Sequence, residues 1–269
     1  MNEKNWRRKL LKQKVENLYR SRKILLREGI SVLPHIFTLG NVFFGFVSII
    51  FSAKGQWEAA CYSIFLGAMM DSLDGRIARY VGSSSNFGMQ LDSLADTITF
   101  CLAPAFLAYN WHLYKIGYLG FIAAAFFLFA GVLRLARFNL ISDQQTIYFL
   151  GLPTTMAASL LIATMLNAHY LKNFNFAAIL TFFTFNLACL MVSLVKFPTF
   201  KKKFFWFQKR WQKTVFTAFF VIFSILRFDL FLFLLLISYL IGSIIYAIFE
   251  KVKFAKERSK VLEISEYRK

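Results

Sequence analysis

Apolar residues in this chain come in blocks about 20 residues long, the length an α-helix needs to cross roughly 30 Å of hydrocarbon. Inside hydrocarbon every backbone N–H and C=O must be paired within the protein, and a helix does this locally. Hydropathy along the chain gives eight candidate spans, at 33–53, 57–80, 88–108, 116–137, 154–170, 174–195, 214–227 and 230–249. The chain is 58% hydrophobic and 17% charged, against about 45–50% and about 25% in soluble domains. A soluble enzyme and a disordered or fibrous chain are excluded, and eight spans leave no room for a separate soluble domain. The predicted fold class is all-α, a polytopic membrane helix bundle.

The charge follows the spans. Of the 32 Lys and Arg residues, 28 fall on one side of the predicted bundle. They lie in the segment 1–28, in the 196–213 connection, in the tail after Glu250, and at Arg76, Arg79, Arg134 and Arg137. Lys54, Lys115, Lys172 and Arg227 fall on the other side. This asymmetry predicts both termini in the cytoplasm. The net charge of +18 therefore reports topology and attraction to anionic headgroups, and no nucleic-acid partner is expected. The chain divides into a basic interfacial segment 1–32, a transmembrane domain 33–249 and a basic tail 250–269. Polar and basic residues precede the first apolar block, which is unlike a cleavable signal peptide. Trp6, Leu10, Leu11, Val15 and Leu18 fall roughly on one helical face, as in a helix lying on the leaflet, and a plain solvated basic tail reads nearly as well. Cys61, Cys101 and Cys189 sit inside apolar blocks at unrelated spacings, so neither a disulfide framework nor a zinc site is expected.

Asp71, Asp74, Asp92 and Asp96 fall within apolar spans. A carboxylate in a bilayer is costly, so such residues face a polar cavity and act there. Asp71 and Asp74 are spaced i,i+3 on the second span, and Asp92 and Asp96 i,i+4 on the third. The short connection 81–87 makes these spans antiparallel neighbours, with both pairs near the cytoplasmic end. Facing carboxylates repel unless cations lie between them. Oxygen donors without His or Cys point to Mg²⁺, Mn²⁺ or Ca²⁺, and two ions so held clamp a phosphoryl group. Gly75 and Ala78 leave the helix bare for a flat group, Arg79 is placed for a phosphate, and Ser83, Ser84 and Ser85 offer hydroxyls at the mouth. A structural reading, carboxylates paired with Arg76 and Arg79, accounts for one or two of the four.

Asp71-Ser-Leu-Asp74-Gly75-Arg-Ile-Ala78-Arg79, followed after eight residues by Gly88-Met-Gln-Leu-Asp92-Ser-Leu-Ala-Asp96, resembles the CDP-alcohol phosphatidyltransferase family at each fixed position of its motif. The resemblance implies two divalent cations, Mg²⁺ or Mn²⁺, held by Asp71, Asp74, Asp92 and Asp96, with Asp96 also the proton acceptor. It places Gly75, Ala78 and Arg79 on the cytidine diphosphate part of CDP-diacylglycerol, and Ser85 at a hydroxyl position that contacts the nucleotide in some members.

The flanking residues are similar to bacterial and archaeal phosphatidylserine synthases. The opening Leu33-Pro34-His35-Ile-Phe-Thr38-Leu-Gly40-Asn41 puts Thr38 and Asn41 on the donor, with His35 standing where the family usually has Asn. Further likenesses are Ala103-Pro104, Arg134-Leu-Ala-Arg137-Phe138-Asn139, Gly151-Leu152-Pro153, and Met191-Val-Ser before Pro198-Thr-Phe-Lys201. The resemblance covers about residues 33–203. It implies transfer of a phosphatidyl group to L-serine, with Arg134, Arg137, Asn139 and Lys201 as candidates for serine or phosphate. Either arginine by itself also reads as a snorkelling anchor. His35, His112 and His169 read as interfacial, and Trp111, Tyr114 and Tyr170 as an aromatic belt on the opposite side. Gly151-Leu-Pro153 reads equally as a helix-entry turn.

The expectation is an enzyme of the cytoplasmic membrane that makes phosphatidylserine and CMP at its cytoplasmic face. Its partners would be CDP-diacylglycerol, L-serine and membrane lipid, with a homodimer implied by the family. Two alternatives stand beside it. A sibling transferase would use glycerol 3-phosphate or inositol phosphate. A cation transporter would use the aspartates as a transport site, but it needs no Gly-x-x-Ala-Arg beside them.

Overall fold

The computed structural model describes residues 34–81, 86–141, 148–168, 175–198, 230, 233–238 and 240–242. The basic segment 1–32, the tail 250–269 and the seventh span 214–227 lie outside the described residues, and the eighth span is described only in part.

The described chain is helical. Helix α1 is described over Pro34–Ala53. Gly55, at φ 72°, closes its end in the left-handed conformation that glycine adopts without strain. Helix α2 (Trp57–Val81) and helix α3 (Asn86–Asp96) follow. Beyond α3 the helix runs on through a π-helical stretch, Thr97–Leu102, into α4 (Ala103–Trp111). A 3₁₀ turn, Leu113–Ile116, leads to α5 (Tyr118–Ile141). Strand β1 (Tyr148–Leu150), helices α6 (Thr154–Leu166) and α7 (Phe176–Val192), and strand β2 (Lys196–Pro198) complete the order.

Among the described residues, three helices are long and apolar enough to cross a membrane by length and composition: Pro34–Ala53, Asn86–Trp111 and Tyr118–Leu140. Helix α2 is 25 residues long but carries the charges of the motif. Helices α6 and α7 are shorter than the spans read from hydropathy, with 13 and 17 residues. At 1.5 Å per residue they reach roughly 20 and 25 Å. Helix α6 ends at Asn167, whose Nδ2 turns back to the Ala163 carbonyl at 2.8 Å. Helix α7 begins at Asn175, whose side chain accepts from the Ala178 N–H.

Two features depart from a plain bundle of α-helices. One is a two-stranded antiparallel ribbon, with Tyr148 opposite Pro198 and Leu150 opposite Lys196. The other is the π-helical stretch, where the Ala103 N–H reaches the Ile98 carbonyl five residues back. Pro104 explains the widening: it brings no N–H to the Phe100 carbonyl, and its ring crowds that carbonyl out of an α-helical ladder.

Packing follows membrane rules, in which close approach of small residues replaces the hydrophobic effect between helices. Ala60, Ala103, Ala108, Ala157, Ala158 and Ala188 are buried. Large side chains such as Phe43, Phe46, Phe121, Phe129 and Phe182 are exposed on the outer face, where lipid would meet them. Helix α5 packs chiefly on α7, and α6 sits against α2, α4 and the π-helical stretch. Gly45 and Gly67 bring α1 and α2 onto Thr99, since a Cβ on either would collide with its side chain. These contacts bring the aspartates of α2 and α3 against the first turns of α1.

Candidate active site

The two carboxylate pairs converge. Ligand oxygens of Asp71, Asp74 and Asp92 all lie within 4.8 Å of one another. Asp74 is buried, and its carboxylate is approached by the Thr38 hydroxyl and the Gly75 backbone. Asp96, one turn beyond Asp92, is close enough for its charge to act on Asp71, Asp92 and Asp74. Four acidic groups held together in a low-dielectric interior are mutually unfavourable without positive charge among them.

The donor set fits hard cations. Asp74 Oδ2 and Asp92 Oδ1 are buried and have no hydrogen-bond partner, so lone pairs are left for a ligand at the centre of the cluster. Among the described residues the converging groups are carboxylates alone, which favours Mg²⁺ or Mn²⁺ over thiolate- and imidazole-seeking metals. Beside them, among the described residues, a Cβ built on Gly75 would meet nothing within 4 Å.

Asn41 is fully buried on α1. Its Nδ2 donates to Asp96 Oδ1 at 3.3 Å, and its backbone carbonyl accepts from the Thr99 hydroxyl at 2.9 Å. Thr99 belongs to the π-helical stretch, so that irregular turn joins α1 to the helix carrying Asp96. Such turns recur at functional sites because they re-aim side chains. Asn139 is tied to Ser93, between Asp92 and Asp96, with Nδ2 donating to Ser93 Oγ at 2.9 Å.

Arg134 is buried on α5. Its guanidinium lies over the Phe138 ring at 5.8 Å, donates from Nη1 to Thr154 Oγ1 at 3.2 Å, and attracts the Asp96 carboxylate. Arg137 points to the end of α7, with Nη1 donating to the Val192 carbonyl at 3.1 Å and Nη2 to the Ser193 carbonyl at 3.4 Å. Ala78 and Arg79 lie on α2. Ser85 and Lys201 fall outside the described residues.

Of the residues singled out in the sequence, the fold thus gathers Asp71, Asp74 and Asp92, with Thr38, Asn41, Gly75, Asp96 and Arg134 around them. Asn139 and Arg137 are engaged by Ser93 and by the α7 terminus. Ser93, Thr99 and Thr154 carry no spacing signal, because their partners lie 46, 58 and 20 residues away. The one available hint was position: Ser93 stands inside the second aspartate pair, and Thr154 directly follows Gly151-Leu-Pro.

The opposite end of the bundle is aromatic. Trp57 stacks on Trp111 at 5.7 Å, and His112 lies between Trp111 at 4.9 Å and Phe176 at 4.7 Å. Burial, with Lys115 nearby, pushes the His112 imidazole down to about 4. Tyr114 is exposed, while His169 and Tyr170 lie outside the described residues. His35 packs edge-on against Phe87 at the aspartate end, 5.5 Å between ring centres.

A family model of the CDP-alcohol phosphatidyltransferases matches residues 31–189. The chain therefore belongs to the CDP-alcohol phosphatidyltransferase family. Among its relatives is the CDP-diacylglycerol–serine O-phosphatidyltransferase of Helicobacter pylori, 36% identical over 174 residues, covering 64% of this chain and 73% of the relative. The Bacillus subtilis protein of the same name is 35% identical over 171 residues, covering 63% and 92%. The archaetidylserine synthase of Methanothermobacter thermautotrophicus is 33% identical over 168 residues, covering 62% and 69%.

Proposed function

We propose that this chain transfers the phosphatidyl group of CDP-diacylglycerol to L-serine, giving phosphatidylserine and CMP. The observation that carries this reading is the convergence of Asp71, Asp74 and Asp92 within 4.8 Å, beside Asp96 and the motif glycine Gly75. The serine acceptor is supported by relatives named for that amino acid. The basic asymmetry supports eight spans in the cytoplasmic membrane, with the site opening to the cytoplasm.

Asp71, Asp74, Asp92 and Asp96 would hold two divalent cations, Mg²⁺ or Mn²⁺, which supply positive charge against the diphosphate and the departing CMP. Arg79 holds a donor phosphate oxygen by charge-assisted hydrogen bonds. Gly75 and Ala78 would leave room for the nucleotide, with Thr38, Asn41 and Ser85 as its proposed contacts. Arg134, with Asn139 and Lys201, would provide the cationic and polar ground for the acceptor. Asp96 accepts the proton of the serine hydroxyl. The serine oxygen bonds to the phosphorus bearing diacylglycerol, the bond from that phosphorus to the bridging oxygen breaks, and CMP leaves with the electron pair. Most of the acceleration comes from positioning and electrostatics, as in other phosphoryl transfers. The site opens laterally to lipid, since withdrawing acyl chains costs about 0.8 kcal/mol per CH₂.

The test is CMP release by purified protein given CDP-diacylglycerol and a panel of alcohols. Serine should be the preferred acceptor. Preference for glycerol 3-phosphate or inositol phosphate would establish the sibling reaction instead.

A further inference from the structure

Spacing treats Arg134 and Arg137 alike, three residues apart on one helix, and the fold separates them. Arg137 caps α7 through the Val192 and Ser193 carbonyls, where a cation offsets the negative end of the helix. Arg134 is buried, and its helix meets the segment carrying Asp96 on either side of it, at Gly131 against Cys101 and at Asn139 against Ser93, within range of the Asp96 charge. Its Nη1 is held by Thr154. Its Nε, one prong of the fork that grips a carboxylate, is buried without a hydrogen-bond partner among the described residues.

Thr154 is itself tightly placed. It is the first residue of α6 and 1% exposed. The Gly151-Leu-Pro153 turn sets its position: Gly151 adopts φ 78°, the Gly151 N–H donates to the Val195 carbonyl at 2.9 Å, and the Leu152 N–H to the Leu190 carbonyl at 3.0 Å. A side chain at Gly151 would strike the Met191 carbonyl and crowd Arg137 Nη2, 2.9 Å away. On α5, Gly131 admits Cys101 against the helix, and a Cβ there would lie 3.8 Å from Thr154 Cγ2. The same turn therefore borders Arg137 and leads into Thr154, the partner of Arg134.

We propose that Thr154 is a positioning residue that aims Arg134 beside Asp96, so that Arg134, and not Arg137, receives the carboxylate of the acceptor amino acid. This rests on the serine-transfer reading above. It divides the labour between the two arginines and gives the Gly-Leu-Pro-Thr turn a task in acceptor specificity.

The experiment measures CMP release by full-length protein with serine and with serinol, which keeps the attacking hydroxyl and lacks the carboxylate. Thr154→Val preserves shape and removes the acceptor for Nη1. It should raise the KM for serine about tenfold, the scale of one hydrogen bond to a charged group, with the KM for CDP-diacylglycerol and the rate with serinol held. Thr154→Ser should restore the serine KM. Arg137→Gln should lower the melting temperature and affect serine and serinol alike. If Thr154→Val does not fold, Arg134→Lys carries the test, with a selective loss for serine expected. An unchanged serine KM, equal losses on serine and serinol, or a serine-selective loss in Arg137→Gln would overturn the inference. Wild type without serine-dependent CMP release would overturn the reading beneath it, and this inference with it. Wild-type serine transfer with an insensitive Thr154→Val would overturn the inference alone.

Discussion

Asn41 on α1 donates to Asp96 on α3, Nδ2 to Oδ1 at 3.3 Å, across 55 residues of sequence. The bond orients the carboxylate proposed to take the acceptor proton. Asn41→Leu, which keeps the volume and deletes the donor, should slow turnover by about tenfold or more, since a hydrogen bond to a charged group contributes about 1.5–3 kcal/mol. Steady-state kinetics decide between two roles. A fall in kcat at unchanged CDP-diacylglycerol KM assigns Asn41 to Asp96, whereas a raised donor KM assigns it to the donor.

The carboxylate cluster predicts metal dependence. Asp71→Ala, Asp74→Ala or Asp92→Ala should each abolish CMP release while the protein still inserts and folds, because the remaining carboxylates lose a ligand partner. EDTA should silence wild type, and Mg²⁺ or Mn²⁺ should restore it. Full turnover in chelator would rule out the cation site.

Asp96→Asn keeps the shape and a ligand oxygen but takes no proton. Activity should fall by about 10²–10⁴, the usual contribution of general-base catalysis, with CDP-diacylglycerol binding retained. Rescue by raised Mn²⁺ would show that Asp96 serves as a ligand only.

Arg79→Ala should weaken CDP-diacylglycerol binding by about 1.5–3 kcal/mol for each charge-assisted hydrogen bond lost. Isothermal titration with the donor lipid in detergent measures this directly. Donor affinity equal to wild type would remove Arg79 from the donor site.

His112 gives a pH signature at the other end of the bundle. Its pKa is lowered from 6.5 to about 4 by burial and Lys115, so the folded protein holds the neutral ring. The unfolded chain takes up a proton first as pH falls, so stability declines from about pH 6.5 down to about pH 4 and no further from this group. Melting temperatures in detergent should drop less over that window for His112→Phe, which keeps the ring contacts with Trp111 and Phe176. Parallel melting curves for the two proteins would remove His112 from the acid response.

The helical class and the aspartate pairs were legible in sequence because both are local. A span needs only a run of apolar side chains, and i,i+3 or i,i+4 spacing puts Asp71 with Asp74, and Asp92 with Asp96, on one helical face. The family motif added the same residues by likeness. The helices that hydropathy alone overextends are α6 and α7, where apolar flanks continue past the hydrogen-bonded ends at Asn167 and Ser193.

What only the tertiary structure decided concerns partners far apart in the chain. No spacing pairs Asn41 with Asp96, Asn139 with Ser93, or Arg134 with Thr154, since each bond depends on how two separate helices pack. The π-helical turn after Asp96 follows from Pro104 acting on the ladder behind it, and its effect, placing Thr99 against Asn41, exists only once Gly45 and Gly67 let the helices close. The chain by itself determined which groups carry charge into the bilayer. The packing decided which of them face one another, because a buried polar group takes the partner that the fold leaves within reach.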